Sequence, residues 1–161
     1  MAAFKSAKQL ATYRKKLVKS KKTGRREIAV CAGTGCKALG SFGLFDSFEK
    51  ALKKNKLAGK VVLRATGCHG FCERGPLVLI FPEGLLYQRV KITDVEEIVE
   101  KTIKSNKVIK RLLYSDPTSG KTYNKEREIP FYKHQKRLVL ANNGLLDPTS
   151  IDDYISIGGY E

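Results

Sequence analysis

Four cysteines carry the chemistry in this sequence, arranged as Cys31-x4-Cys36 and, after 31 intervening residues, Cys68-x3-Cys72. Each pair sits in a loop directly after a predicted strand. Two such loops at one sheet edge would bring two thiolate pairs together, and a [2Fe–2S] cluster needs four thiolates, two for each iron. Both loops are rich in glycine: Gly33 and Gly35 in the first, Gly67 and Gly70 in the second, and Gly75 just beyond. Backbone without Cβ wraps closely around sulfide and aims N–H donors at sulfur, which stabilises the more negative reduced cluster.

Other uses of four cysteines fit less well. Structural zinc also takes four thiolates but favours short C-x2-C knuckles. Two disulfides belong to exported small domains, and a thioredoxin-type dithiol needs a C-x-x-C that is absent here. His69, between two candidate ligands, invites a mixed Cys/His site, but four cysteines already complete the set. It is expected to neighbour the cluster and tune it, or to face solvent. His134, in Tyr132-Lys133-His134-Gln135, reads as a surface residue, and Arg74 places a positive charge two residues after Cys72. No nucleophile with a base, paired carboxylates or phosphate loop accompanies them.

The elements that must position the cysteines form an α/β unit. Glu27 to Val30 and Lys60 to Arg64 read as strands, and Pro76 to Phe81 with Leu85 to Val90 read as a hairpin across Pro82-Glu83-Gly84. Ser41 to Asn55 sets Leu44, Phe45, Phe48, Ala51 and Leu52 on one helical face. Thr93-Asp94-Val95-Glu96 reads as a capping box, with Val95, Ile98, Val99, Thr102 and Ile103 facing inward behind it. The order β-α-β-β-β-α predicts a small sheet flanked by helices. After residue 106, Tyr114 to Lys121 reads as a linker. A strand at Arg137 to Leu140, a turn at Asn143-Gly144 and a helix starting at Asp147-Pro148 follow. That last helix carries Ile151, Tyr154 and Ile155 with few local partners, so another chain, or more of this one, is expected to cover it.

The chain has 161 residues, 42% hydrophobic, which suffices for one core with appendages. Its net charge of +15 is uneven, because residues 1–26 hold ten Lys or Arg and no acid. Phe4, Ala7, Leu10, Ala11, Tyr13 and Leu17 recur there at helical spacing, so this leader reads as a basic amphipathic helix followed by the linker Ser20 to Gly24. Docking on its own protein or a partner subunit is the favoured role, ahead of a nucleic-acid arm or a membrane-surface helix. No aromatic platform for nucleic acid follows it. The longest apolar run, Leu77 to Phe81, is too short to span a bilayer. Met1-Ala2-Ala3-Phe4-Lys5 does not read as a secretory signal, so a cytoplasmic location is expected.

Val30-Cys31-Ala32-Gly33-Thr34-Gly35-Cys36 and Thr66-Gly67-Cys68-His69-Gly70-Phe71-Cys72, with Gly75-Pro76-Leu77-Val78, resemble the thioredoxin-like [2Fe–2S] ferredoxin fold. Arg111-Leu112-Leu113-Tyr114, Ile129 to Gln135 and Asp152 to Tyr160 resemble the lead-in to the flavin-binding subunit of NADH:quinone oxidoreductase. Together they look like the long form of that subunit, found in NAD(P)-linked iron hydrogenases and in electron-bifurcating or benzoyl-CoA reductase complexes of anaerobes. The resemblance implies Cys31, Cys36, Cys68 and Cys72 as cluster ligands. In that family FMN, NAD(P)H and [4Fe–4S] sites lie beyond the Gly-Gly-Tyr sequence, so none is expected in this chain.

The expected organisation is a basic helix and linker (1–26), a thioredoxin-like [2Fe–2S] ferredoxin domain (27–106), and a linker leading into an incomplete flavin/NADH-binding domain (107–161). The expected function is one-electron transfer within an NAD(P)H-linked multi-subunit oxidoreductase, with flavin- and iron–sulfur-bearing subunits as partners and no catalytic residues of its own. The alternative is a non-redox interaction module stapled by zinc, with the leader as a docking arm.

Overall fold

The computed structural model describes residues 4–21 and 24–161. Met1, Ala2 and Ala3 of the expected non-signal start, and Lys22 and Thr23 of the expected linker, lie outside the described residues. The centre is a four-stranded sheet of β1 (Glu27–Cys31), β2 (Val62–Thr66), β3 (Val78–Phe81) and β4 (Leu85–Tyr87), in the order β2-β1-β3-β4. β1 runs parallel to β2 and antiparallel to β3, and β3 pairs antiparallel with β4. This is the expected thioredoxin-like arrangement, with a mixed sheet and helices against it.

Alternation along the strands divides the core in two. Ile28, Val30, Val78, Ile80, Leu85 and Tyr87 face one side. There they meet Leu44, Phe48, Ala51 and Leu52 of the helix Ser41–Lys54, together with Val95, Ile98, Val99 and Ile103 of the helix running from Val95 to Lys104. Ala29, Cys31, Leu77, Leu79 and Leu86 face the other side, where they meet Phe71, Tyr114, Ile129 and Tyr132. β1 is therefore buried on both faces, which accounts for its unbroken apolar run.

Helix ends follow local chemistry. The Ser41–Lys54 helix closes as a Schellman motif: Leu57 N–H donates to Leu52 O at 2.9 Å, Lys56 N–H donates to Lys53 O at 3.1 Å, and Lys56 is left-handed at φ 54°. At the later helix the capping box lies two residues earlier than expected, at Lys91 rather than Thr93. Lys91 N–H donates to the Asp94 carboxylate at 2.8 Å, and a 3₁₀ turn, Ile92–Asp94, leads into the helix.

The region after residue 106 differs from its sequence reading in several places. Tyr114–Ser115 and Thr122–Tyr123 form a short hairpin, with Tyr114 buried against the sheet, where a linker was expected. Burial of aromatic surface outweighs the turn-rich composition. Arg137 to Leu140 forms no strand: Leu138 and Val139 are 77% and 92% exposed, and no neighbouring edge pairs with them. The last helix begins at Ile151, with Ser150 rather than Asp147 as its cap, because Ser150 Oγ accepts from Asp153 N–H at 3.2 Å.

That last helix has a partner within the chain. The leader forms the helix Ala7–Lys21 and lies against it. Tyr13 Oη donates to Asp152 at 3.0 Å, Arg14 Nε donates to Ile155 O at 2.9 Å, and Lys21 Nζ lies 2.8 Å from Asp153. Asp153 also receives Arg64 of β2 at 2.5 Å, so leader, last helix and sheet edge are joined through one carboxylate.

Candidate metal centre

The two cysteine loops leave the sheet at the same edge. Cys31 is the last residue of β1 and Thr66 the last of β2, and the two are register partners in the parallel pair. Parallel pairing thus delivers both loops to one place. Cys36 was expected in a loop but lies on a helical turn, Thr34–Ala38, which points it back into the interior, and Cys72 opens the 3₁₀ turn Cys72–Arg74. Cys31 and Cys36 are buried, Cys68 is half-buried and Cys72 is exposed.

The four sulfurs fall into two pairs. Cys68 Sγ and Cys72 Sγ are 3.7 Å apart, close to the spacing of about 3.8 Å for two thiolates on one tetrahedral metal at about 2.3 Å. Cys31 and Cys36 form the other pair, joined by a side-chain hydrogen bond, and Cys31 Sγ lies 3.7 Å from Gly67 O. The bond between the two cysteines, with backbone N–H groups of His69 and Gly33, outweighs burial and draws Cys31 down to about 5. The same bond, reinforced by burial, pushes the Cys36 thiol up. Cys72 is raised by its hydrogen bond with Cys68 and then by burial. Thiolate ligation releases the protons of the ligating thiols, so cluster binding at these cysteines would be coupled to proton release.

Backbone donors surround the sulfurs. Gly70 N–H donates to Cys68 Sγ at 3.3 Å, and Leu77 N–H is directed at Cys36. The glycines have a steric reason as well. A Cβ at Gly33 would lie 2.7 Å from Cys68 Cβ, and one at Gly75 would lie 2.9 Å from Cys36 Sγ. The loops close on each other only where side chains are missing. Paired thiolates, backbone donors and close glycine backbone together fit a binuclear iron–sulfur group.

His69 differs from its expected solvent-facing alternative. It is fully buried, with Nε2 at 3.0 Å from Thr66 Oγ1 and Nδ1 at 3.2 Å from Glu126 Oε1. Both ring nitrogens are engaged, so neither is free to ligate. His134 is exposed, as expected. Arg74 holds Glu73 at 3.0 Å and places its guanidinium over the Tyr114 ring, so its charge is partly neutralised.

The chain beyond residue 106 packs on this centre through residues that sequence reasoning missed. Phe131 stacks on Phe71 with ring centroids 4.3 Å apart, and Tyr132 meets Phe71 edge-on. Arg137 donates to His69 O, Leu146 O accepts from Gly67 N–H at 3.3 Å, and Gly144 lies against the His69 ring. The available signal was the aromatic pair Phe131-Tyr132 inside an otherwise polar stretch.

Comparison with known proteins agrees with this geometry. Residues 4–103 match the family described as thioredoxin-like [2Fe-2S] ferredoxin. A 2Fe-2S ferredoxin of Clostridium pasteurianum is 40% identical over 77 residues, covering 48% of this chain and 76% of that protein. One from Aquifex aeolicus strain VF5 is 40% identical over 81 residues, covering 50% of this chain and 73% of that protein. Among solved structures, the wild-type thioredoxin-like [2Fe-2S] ferredoxin of Aquifex aeolicus superposes with a TM-score of 0.53 at 31% identity, covering 58% of this chain and 100% of the other.

Proposed function

The chain belongs to the thioredoxin-like [2Fe-2S] ferredoxin family, and from that premise we propose that Cys31, Cys36, Cys68 and Cys72 are the ligands of its single [2Fe–2S] cluster. The role is iron–sulfur electron transfer. The observation that carries the ligand assignment is the convergence of two thiol pairs at one sheet edge, with Cys68 and Cys72 at 3.7 Å. When bound, the cluster supplies a one-electron couple. The protein's own share is to bring four sulfurs to one place, to aim N–H groups of Gly33, His69, Gly70 and Leu77 at them, and to exclude water on the Cys31 and Cys36 side. Of the four sulfurs, that of Cys72 would bring a bound cluster nearest to a redox partner, because Cys72 is the exposed one.

The wider reading is that this module serves an NAD(P)H-linked multi-subunit oxidoreductase of the hydrogenase or electron-bifurcating type, with flavin- and iron–sulfur-bearing subunits as partners. Residues 107–161 are then the beginning of a flavin-binding domain. Its support is the set Arg111 to Tyr114, Ile129 to Gln135 and Asp152 to Tyr160. Among the described residues no helix is long and apolar enough to cross a membrane.

Visible absorption and electron paramagnetic resonance of anaerobically purified protein, before and after dithionite, test the assignment. A red-brown sample that gains a rhombic spin-½ signal on reduction is expected. A colourless, silent sample holding about one zinc would replace it with the zinc-stapled interaction module.

A further inference from the structure

Tyr132 is 8% exposed, and its hydroxyl is buried with no hydrogen-bond partner among the described residues. Buried hydroxyls are almost always paired, so a lone one calls for an acceptor that protein atoms do not supply. The residue stands beside the metal centre. Its ring meets Phe71, the residue before Cys72, edge-on at 5.6 Å, and the Arg137 guanidinium lies 5.3 Å from the ring centroid. Arg137 in turn donates to the carbonyl of His69 inside the cysteine loop. Tyr132 shares a buried cluster with Cys31 and Cys36.

We propose that the Tyr132 hydroxyl donates a hydrogen bond to a sulfur of the [2Fe–2S] centre and thereby raises its reduction potential. The inference rests on the cluster assignment above and adds to it a residue from outside the matched segment 4–103. The hydroxyl keeps its proton for this task. Burial, then the charge of Glu126, raises it beyond the ordinary tyrosine range, and these outweigh the opposing charge of Arg137. A neutral donor fixed in a dry site stabilises the reduced cluster, which carries one more negative charge, more than the oxidised one.

The test is Tyr132→Phe in the cluster-loaded protein, compared with wild type and with Tyr114→Phe, whose ring also packs on Phe71. The measurement is the midpoint potential, by titration monitored with electron paramagnetic resonance. Phenylalanine keeps the ring contacts and removes only the hydroxyl, so circular dichroism is expected to match wild type. The expected result is a more negative potential for Tyr132→Phe alone, together with loss of one exchangeable proton coupling in pulsed spectra. Loss of the cluster from Tyr132→Phe but not from Tyr114→Phe supports the same contact. Equal potentials and unchanged proton couplings in all three proteins overturn the inference. A wild-type protein without a [2Fe–2S] spectrum overturns the cluster assignment beneath it.

Discussion

His69 Nδ1 lies 3.2 Å from Glu126 Oε1, which ties a fully buried ring inside the second cysteine loop to a carboxylate 57 residues further along the chain. The other nitrogen of the ring reaches Thr66 at the end of β2. His69 thus fastens the loop between the sheet and the chain that follows the hairpin. Replacing Glu126 by Ala leaves a buried ring nitrogen without its partner and is expected to cost about 1–3 kcal/mol. Urea unfolding of the loaded protein measures it, and iron release to a chelator should be faster in the variant. Unchanged values in both would show that the bond is incidental.

Cys36→Ser and Cys72→Ser each remove one of the proposed ligands. Both are expected to lose most of the visible absorption and the iron measured against protein. The two differ in folding: Cys36 is buried and Cys72 exposed, so the loss of stability should be larger for Cys36→Ser. Normal colour and iron content in either variant would remove that cysteine from the ligand set.

Gly33→Ala tests whether the loops need their close approach. The added methyl would stand 2.7 Å from Cys68 Cβ, and backbone on both sides leaves little room to shift. The expectation is a chain that folds around the Leu44 and Phe48 side of the core but loads substantially less iron. Full loading would show that the loops part without harm to the site.

The leader and last helix are held to the sheet through Asp153, whose carboxyl is lowered from the ordinary value. Burial opposes this, but hydrogen bonds from Lys21 and Asp147 N–H and the charge of Arg64 outweigh it. A carboxyl with a depressed folded-state pKa adds stability that is present above the unfolded value, about 3.9, and is lost as pH falls through the folded one. Asp153→Asn is therefore expected to unfold at a lower temperature than wild type near neutrality, at a cost of about 1–3 kcal/mol. The gap should narrow as pH falls below about 4. Parallel melting curves down to pH 2 would refute the linkage.

Much of this protein is determined by sequence alone, because it is local. Ile28, Val30, Val78 and Ile80 mark strands, and Leu44, Phe48, Ala51 and Leu52 mark a helix, since period 2 and period 3.6 are properties of neighbouring residues. The paired cysteines and their glycines likewise announce a thiolate site before any coordinates, because metal ligation restricts residue type and spacing. Tertiary structure alone decided what covers that site. His69, Glu126, Tyr132 and Arg137 meet through sheet topology and chain reversal across some sixty residues. Arg137 to Leu140 reads as a strand but finds no edge to pair with, and Tyr114 reads as linker but is drawn under the sheet. A strand exists only with a partner, and an aromatic ring is buried only where a face is left open. Both conditions lie in the assembled chain, beyond the reach of a window of neighbouring residues.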